Sequence, residues 1–176
     1  MPMTEMQVGD QTIRYDRDAT AAVYATLERG DTERCGCMFC KNFAVQRNLI
    51  YPPSFRGLLE QLGIDPNKEG EVFEYGPVED GCHLYGGWFY LVGETVTAGE
   101  RNYNAPDCHD DAHHFEFFFT RSHPNAEAFR GGPVLAIEFT THVKWVLPEG
   151  PQYRTTSGKI LDFGAREDSP TSAFQN

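Results

Sequence analysis

Cys35-Gly36-Cys37-Met38-Phe39-Cys40 gathers three of the chain's five cysteines into one short stretch. Thiolates are donors that suit zinc, and they are also the nucleophiles of redox exchange. The spacing limits how these thiols can meet. Side chains two positions apart lie about 200° apart on a helix but on one side of an extended chain, whereas a pair three apart shares a helical face. Cys35 and Cys37 therefore converge only outside a continuous helix. The economical arrangement is an irregular turn at Gly36 in positive φ, followed by a helix that begins near Cys37 and carries Cys40 one turn on.

Three uses of such a cluster compete. The first is a zinc site with Cys35, Cys37 and Cys40 as ligands and a fourth donor from elsewhere, because Zn²⁺ favours tetrahedral sulfur and imidazole ligation. The second is a redox pair, Cys37 with Cys40, since a thiol at a helix N-terminus has its thiolate stabilised by oriented backbone N–H groups. No strand signal runs directly into the motif, as a thioredoxin-like βαβ unit requires. The third is burial, with the thiols packed as small hydrophobes beside Met38, Phe39 and Phe43.

For the fourth zinc ligand, Cys82-His83 opens a strand-like stretch. Successive strand residues point to opposite faces, so one of the two can turn toward the cluster, and His83 is the favoured donor. A second source is the segment 107–114, with Cys108, His109, His113, His114 and three aspartates. Such polar segments are more often solvated loops. A separate constellation, His114, Glu116, Glu138 and His142, occupies the polar positions of two alternating stretches and is the candidate for acid/base or metal-dependent hydrolysis if those strands are neighbours. Opposed carboxylates there would raise one pKa unless a cation intervened. The chain has no His-Glu-x-x-His and no Gly-x-Ser-x-Gly, and no Gly-rich phosphate loop follows a strand. No motif carries a resemblance to a family of known activity.

Hydrophobic spacing supplies the elements that must hold these residues. Residues 12–15 alternate as a short edge strand. Residues 18–30 read as a helix capped by Asp18 and stopped by Gly30, with a strand over 21–27 as the alternative. The helix starting near Cys37 continues through residues 41–48 until Tyr51-Pro52-Pro53 breaks it. A further helix opens at Ser54 or the prolines, places Phe55, Leu58, Leu59 and Leu62 on one stripe and ends at Gly63. Then the period changes. Strands are expected over 71–76, 82–94, 113–120 and 134–147, separated by a turn at 77–81 and a polar loop at 99–112. The 82–94 strand is apolar on both faces and therefore central, with Gly86-Gly87 marking a bulge or a close backbone approach. The predicted fold is α+β: a largely antiparallel sheet from the C-terminal half with the N-terminal helices packed on one face. A β-sandwich or barrel with two helices is the alternative. One domain covers 1–165, and 166–176 reads as a loose tail.

The chain has 176 residues, with 13 Phe, 8 Tyr and 2 Trp, enough to build a substantial core without disulfides. A formal charge of −11 opposes binding to nucleic acid, which depends on cationic groups. Residues 1–30 lack the apolar core of a signal peptide, and no run is long enough to span a bilayer. The expected setting is the cytoplasm, where thiols stay reduced. The sequence thus favours a cytosolic zinc-binding protein. Its alternatives are an acidic module that neutralises a basic protein partner and a small metal-dependent hydrolase; the sequence identifies neither a protein partner nor a small-molecule substrate.

Overall fold

The structure, a computed structural model, describes residues 3–99, 103–104, 114–121, 126–154 and 157–161. Among these, the predicted α+β architecture is observed, with four α-helices and one open, antiparallel, seven-stranded sheet. The predicted 166–176 tail and most of the 99–112 loop lie outside the described residues.

The sheet is organised on β4 (Cys82–Thr97), whose apolar faces predicted a central place. Strand β7 (Val134–Lys144) runs antiparallel along one side, from Cys82 opposite Lys144 to Val92 opposite Val134. The other side of β4 is shared. Strand β3 (Glu71–Pro77) covers its first half and β2 (Gln11–Tyr15) its second. Beyond β2 lies β1 (Thr4–Val8), so β2 is interior and not the edge strand its sequence suggested. Strands β6 (Phe115–Thr120) and β5 (Tyr103–Asn104) continue outward from β7. A separate pair, β8 (Tyr153–Arg154) and β9 (Ile160–Leu161), forms a small ribbon. Gly87 marks a close approach: a Cβ there would lie 2.6 Å from the Glu71 carbonyl oxygen and 2.7 Å from the Phe139 ring. The register shifts elsewhere, in β3 between Glu74 and Gly76 and, where β2 meets the end of β4, between Thr12 and Ile13.

The first helix, α1 (Arg17–Thr26), is capped by Asp16, whose side chain accepts from the Ala19 N–H at 2.9 Å. Asp18 was the expected cap, but it falls in the first turn, where its charge suits the positive end of the helix. The helix also ends before Gly30. That glycine precedes α2 (Asp31–Cys35), a five-residue helix with too little sequence for its periodicity to be seen. Next comes α3 (Met38–Ile50), and then Pro53 opens α4 (Pro53–Gln61) at a position where the missing N–H costs nothing. The predicted stripe of α4 is apolar and inward: Phe55, Leu59 and Leu62 are inaccessible to solvent.

The core between helices and sheet is built of rings. Phe55 packs 4.7 Å from Phe115 and 5.0 Å from Phe117, while Tyr51 meets Phe139 edge-on at 5.5 Å. Each ring withdrawn from water contributes roughly 1.5–3 kcal/mol, so this layer is the principal reason the helices stay on the sheet.

A polar brace is set into that layer. Arg47 of α3 reaches Glu69 in two hydrogen bonds, Nε to Oε1 at 2.6 Å and a terminal nitrogen to Oε2 at 3.1 Å. The same guanidinium donates to the Thr32 hydroxyl of α2 at 2.6 Å, and the Tyr51 hydroxyl donates to Glu69 at 3.0 Å. Burial raises the Glu69 carboxyl above its ordinary range, with Arg47 pulling the other way. The brace ties α2, α3 and the chain entering β3 to one another, and the cysteines lie at the α2–α3 junction.

Candidate metal centre

Cys35 is the last residue of α2, Gly36 follows in the left-handed conformation at φ 61°, and Cys37 caps α3. This is the positive-φ turn and helix start that the Cys-x-Cys spacing demands, with a short helix in place of an irregular approach. The sulfur of Cys37 accepts from the Cys40 N–H at 3.5 Å. The three sulfurs lie within 4.8 Å of one another. In a tetrahedral centre with metal–sulfur bonds of about 2.3 Å, sulfurs stand roughly 3.8 Å apart. Closing onto an ion thus asks for adjustments of about 1 Å, within reach of small thiol rotations. Cys35, Cys37 and Cys40 are close enough to hold a metal ion.

Their environments differ. Cys35 and Cys37 are exposed, while Cys40 is buried. For Cys37, burial acts to raise the thiol pKa but is outweighed by the backbone N–H of Cys40 and by the neighbouring thiols, and the net direction is down. For Cys40, burial acts first and the two adjacent thiols add to it, so its pKa is driven far up. A bound cation would reverse that penalty by supplying the charge the thiolates lack.

The thiols open onto a cavity of about 750 Å³. Its apolar lining includes Met38, Phe39, Val72 and Phe73, and its polar lining includes Glu74, Tyr153 and Arg154. The Glu74 side chain is only 6% exposed. Its Oε1 accepts from the Tyr153 hydroxyl at 2.5 Å and lies 2.7 Å from His83 Nδ1, which in turn is 2.9 Å from the Tyr153 oxygen. Desolvation and then the Glu74 carboxylate push the Tyr153 phenol well above its ordinary pKa, keeping it a donor. Tyr85, also in the lining, donates from its hydroxyl to the Phe39 carbonyl at 3.1 Å.

His83, the sequence candidate for the fourth ligand, is thus drawn to Glu74 and Tyr153 and does not join the thiol group. Cys82 is buried at the start of β4 and does not join it either. Cys108, His109 and His113 lie outside the described residues. On the sheet, His114 and His142 do meet, their rings 4.9 Å apart, with His114 Nε2 3.5 Å from Glu116. Glu116, however, stands opposite Thr140, and Glu138 opposite Phe118. The two carboxylates are therefore not cross-strand partners, and the opposed pair that would have marked a functional face does not form. Desolvation, then His114, lowers the pKa of His142.

Sequence reasoning missed Glu74, Tyr153 and Arg154 as site residues. One signal was available for Glu74: it shares strand parity with buried Val72, which puts a carboxylate on the inner face of β3. No protein-family model, curated protein or solved structure matches the chain. Among the described residues, no helix is long and apolar enough to cross a membrane.

Proposed function

We propose that this is a cytoplasmic zinc-binding protein whose ion is held by Cys35, Cys37 and Cys40. The observation that carries this reading is the convergence of three sulfurs within 4.8 Å at a helix start. A donor set of three thiolates favours a soft or borderline cation over magnesium or calcium, and zinc is the commonest occupant of such tetrahedral sulfur sites. Zinc would supply charge neutralisation and would fix the α2–α3 junction, adding its binding free energy to folding. The test is a competition titration of zinc against a chromophoric chelator. The intact chain should take up one equivalent and melt at a higher temperature when loaded. Cys40→Ser should lose both effects. Uptake unchanged by that substitution would remove the reading.

A second reading draws on the contrast between Cys37 and Cys40. An exposed thiol of lowered pKa, three residues before a buried thiol of raised pKa, is the pattern of an attacking and a resolving cysteine. Its mark would be a Cys37–Cys40 disulfide forming reversibly in a glutathione buffer. Protection of both thiols from alkylation by stoichiometric zinc would favour the metal instead.

A further inference from the structure

The metal reading leaves the cavity unexplained. A zinc that only staples a loop has four protein ligands and no need of adjoining space, whereas an ion that handles a ligand keeps one position for it. Here two of the three thiols are exposed, all three line a cavity of about 750 Å³, and among the described residues no His, Asp, Glu or further Cys completes the group. That volume is within the usual range for small-molecule sites.

The lining also has a chemical direction. Both hydrogen bonds to Glu74 land on Oε1, from Tyr153 and His83, and Oε2 has no hydrogen-bond partner among the described residues. A carboxylate 94% withdrawn from solvent, with one oxygen unengaged, is placed to accept a proton from a molecule in the cavity. Three thiolates leave a zinc centre with net negative charge. They blunt its pull on hard oxygen donors and favour a soft fourth ligand. The walls beside it, Met38, Phe39, Val72 and Phe73, suit an apolar body.

Resting on the zinc reading, we infer that the cavity admits a small organic thiol with an apolar body, which becomes the fourth ligand of the metal. In the step, the S–H bond breaks, a sulfur–metal bond forms, and the proton passes to Glu74 and from there to water. No oxidant is consumed. The product is a metal-held thiolate, the activated form in which a thiol attacks an electrophile.

Cobalt(II) in place of zinc tests this, because sulfur-to-cobalt charge-transfer bands count sulfur ligands. The intact chain loaded with one equivalent of cobalt is titrated with phenylmethanethiol and, separately, with phenylmethanol. The thiol should raise the charge-transfer intensity by about one third, the change from three sulfur donors to four, with cobalt still eluting with the protein. The alcohol should leave the spectrum as it was. Glu74→Gln should slow the growth of the thiol-induced band about 10²-fold in stopped flow at pH 7 and leave its final intensity unchanged, the loss expected of a missing proton relay. A cobalt–thiolate spectrum that ignores the thiol, responds equally to the alcohol, or vanishes because the thiol strips the ion would overturn the inference while leaving metal binding in place. Absence of any cobalt–thiolate band at the outset would defeat the zinc reading itself, and this inference with it.

Discussion

Replacing Arg47 with alanine should damage the protein in a way that reports on the cysteine junction. The guanidinium is the sole cation in hydrogen-bond contact with Glu69 among the described residues, and the Glu69 side chain has no exposure to solvent. Breaking a buried ion pair from one side typically costs about 3–5 kcal/mol, because the remaining charge is left uncompensated. Two neutral donors would stay with Glu69, the hydroxyls of Tyr51 at 3.0 Å and Thr32 at 3.4 Å, which argues for the lower end, about 3 kcal/mol. For a chain of this length each kcal/mol moves the melting temperature by roughly 2–4 °C, so a drop of about 6–12 °C is expected. The pH dependence carries a sign. Burial already raises the Glu69 carboxyl above 4.5, and loss of Arg47 would raise it further. A carboxyl with a raised folded pKa stabilises the fold below its unfolded value, and that stability is lost as pH rises through the folded value. The deficit of Arg47→Ala relative to wild type should therefore be largest near pH 7 and shrink toward about pH 4.5. Urea unfolding of both proteins across that window measures it. A deficit under about 1 kcal/mol, or one that grows on acidification, would refute the brace as described.

Gly87→Ala should cost about 1–3 kcal/mol, since the new methyl would meet the Glu71 carbonyl at 2.6 Å and the Phe139 ring at 2.7 Å. Gly150→Ala, with open space around its Cβ, should stay within about 0.5 kcal/mol in the same denaturation assay. Zinc affinity should fall steeply with acid. Burial and the adjacent thiols hold Cys40 protonated, so binding must displace protons, and lowering the pH by one unit near neutrality should weaken the apparent affinity roughly 10²–10³-fold. A flat affinity between about pH 6.5 and 7.5 would contradict thiolate ligation.

The cysteine turn was legible because its geometry is local. With two thiols one residue apart, only a break at Gly36 lets them meet, and positive φ is what a glycine supplies there. The central place of β4 was equally plain, since Tyr85, Phe89 and Leu91 on one face and Leu84, Trp88 and Tyr90 on the other leave no side for water. What escaped notice depends on distant pairing. Arg and Glu are residue types that usually stand at the surface; only the fold, by bringing positions 22 residues apart into contact, makes Arg47 and Glu69 a buried pair. Tyr153 sits where hydrophobic density falls away, and its role exists only because β8 lies against Glu74 and His83. His83 was identified as chemically interesting, but a strand-end histidine has two ring nitrogens and many suitors. The carboxylate on the buried face of β3 engages Nδ1.

The central claim is that the sulfurs of Cys35, Cys37 and Cys40 share one ion, and metal content per chain measures it most directly. Protein purified without an affinity tag or chelator, alongside a variant with all three cysteines changed to serine, should be analysed for zinc, iron and copper by elemental mass spectrometry. The account predicts about one zinc per intact chain and none in the variant. Intact chain free of metal after exposure to equimolar zinc, or a variant that retains the ion, would contradict it.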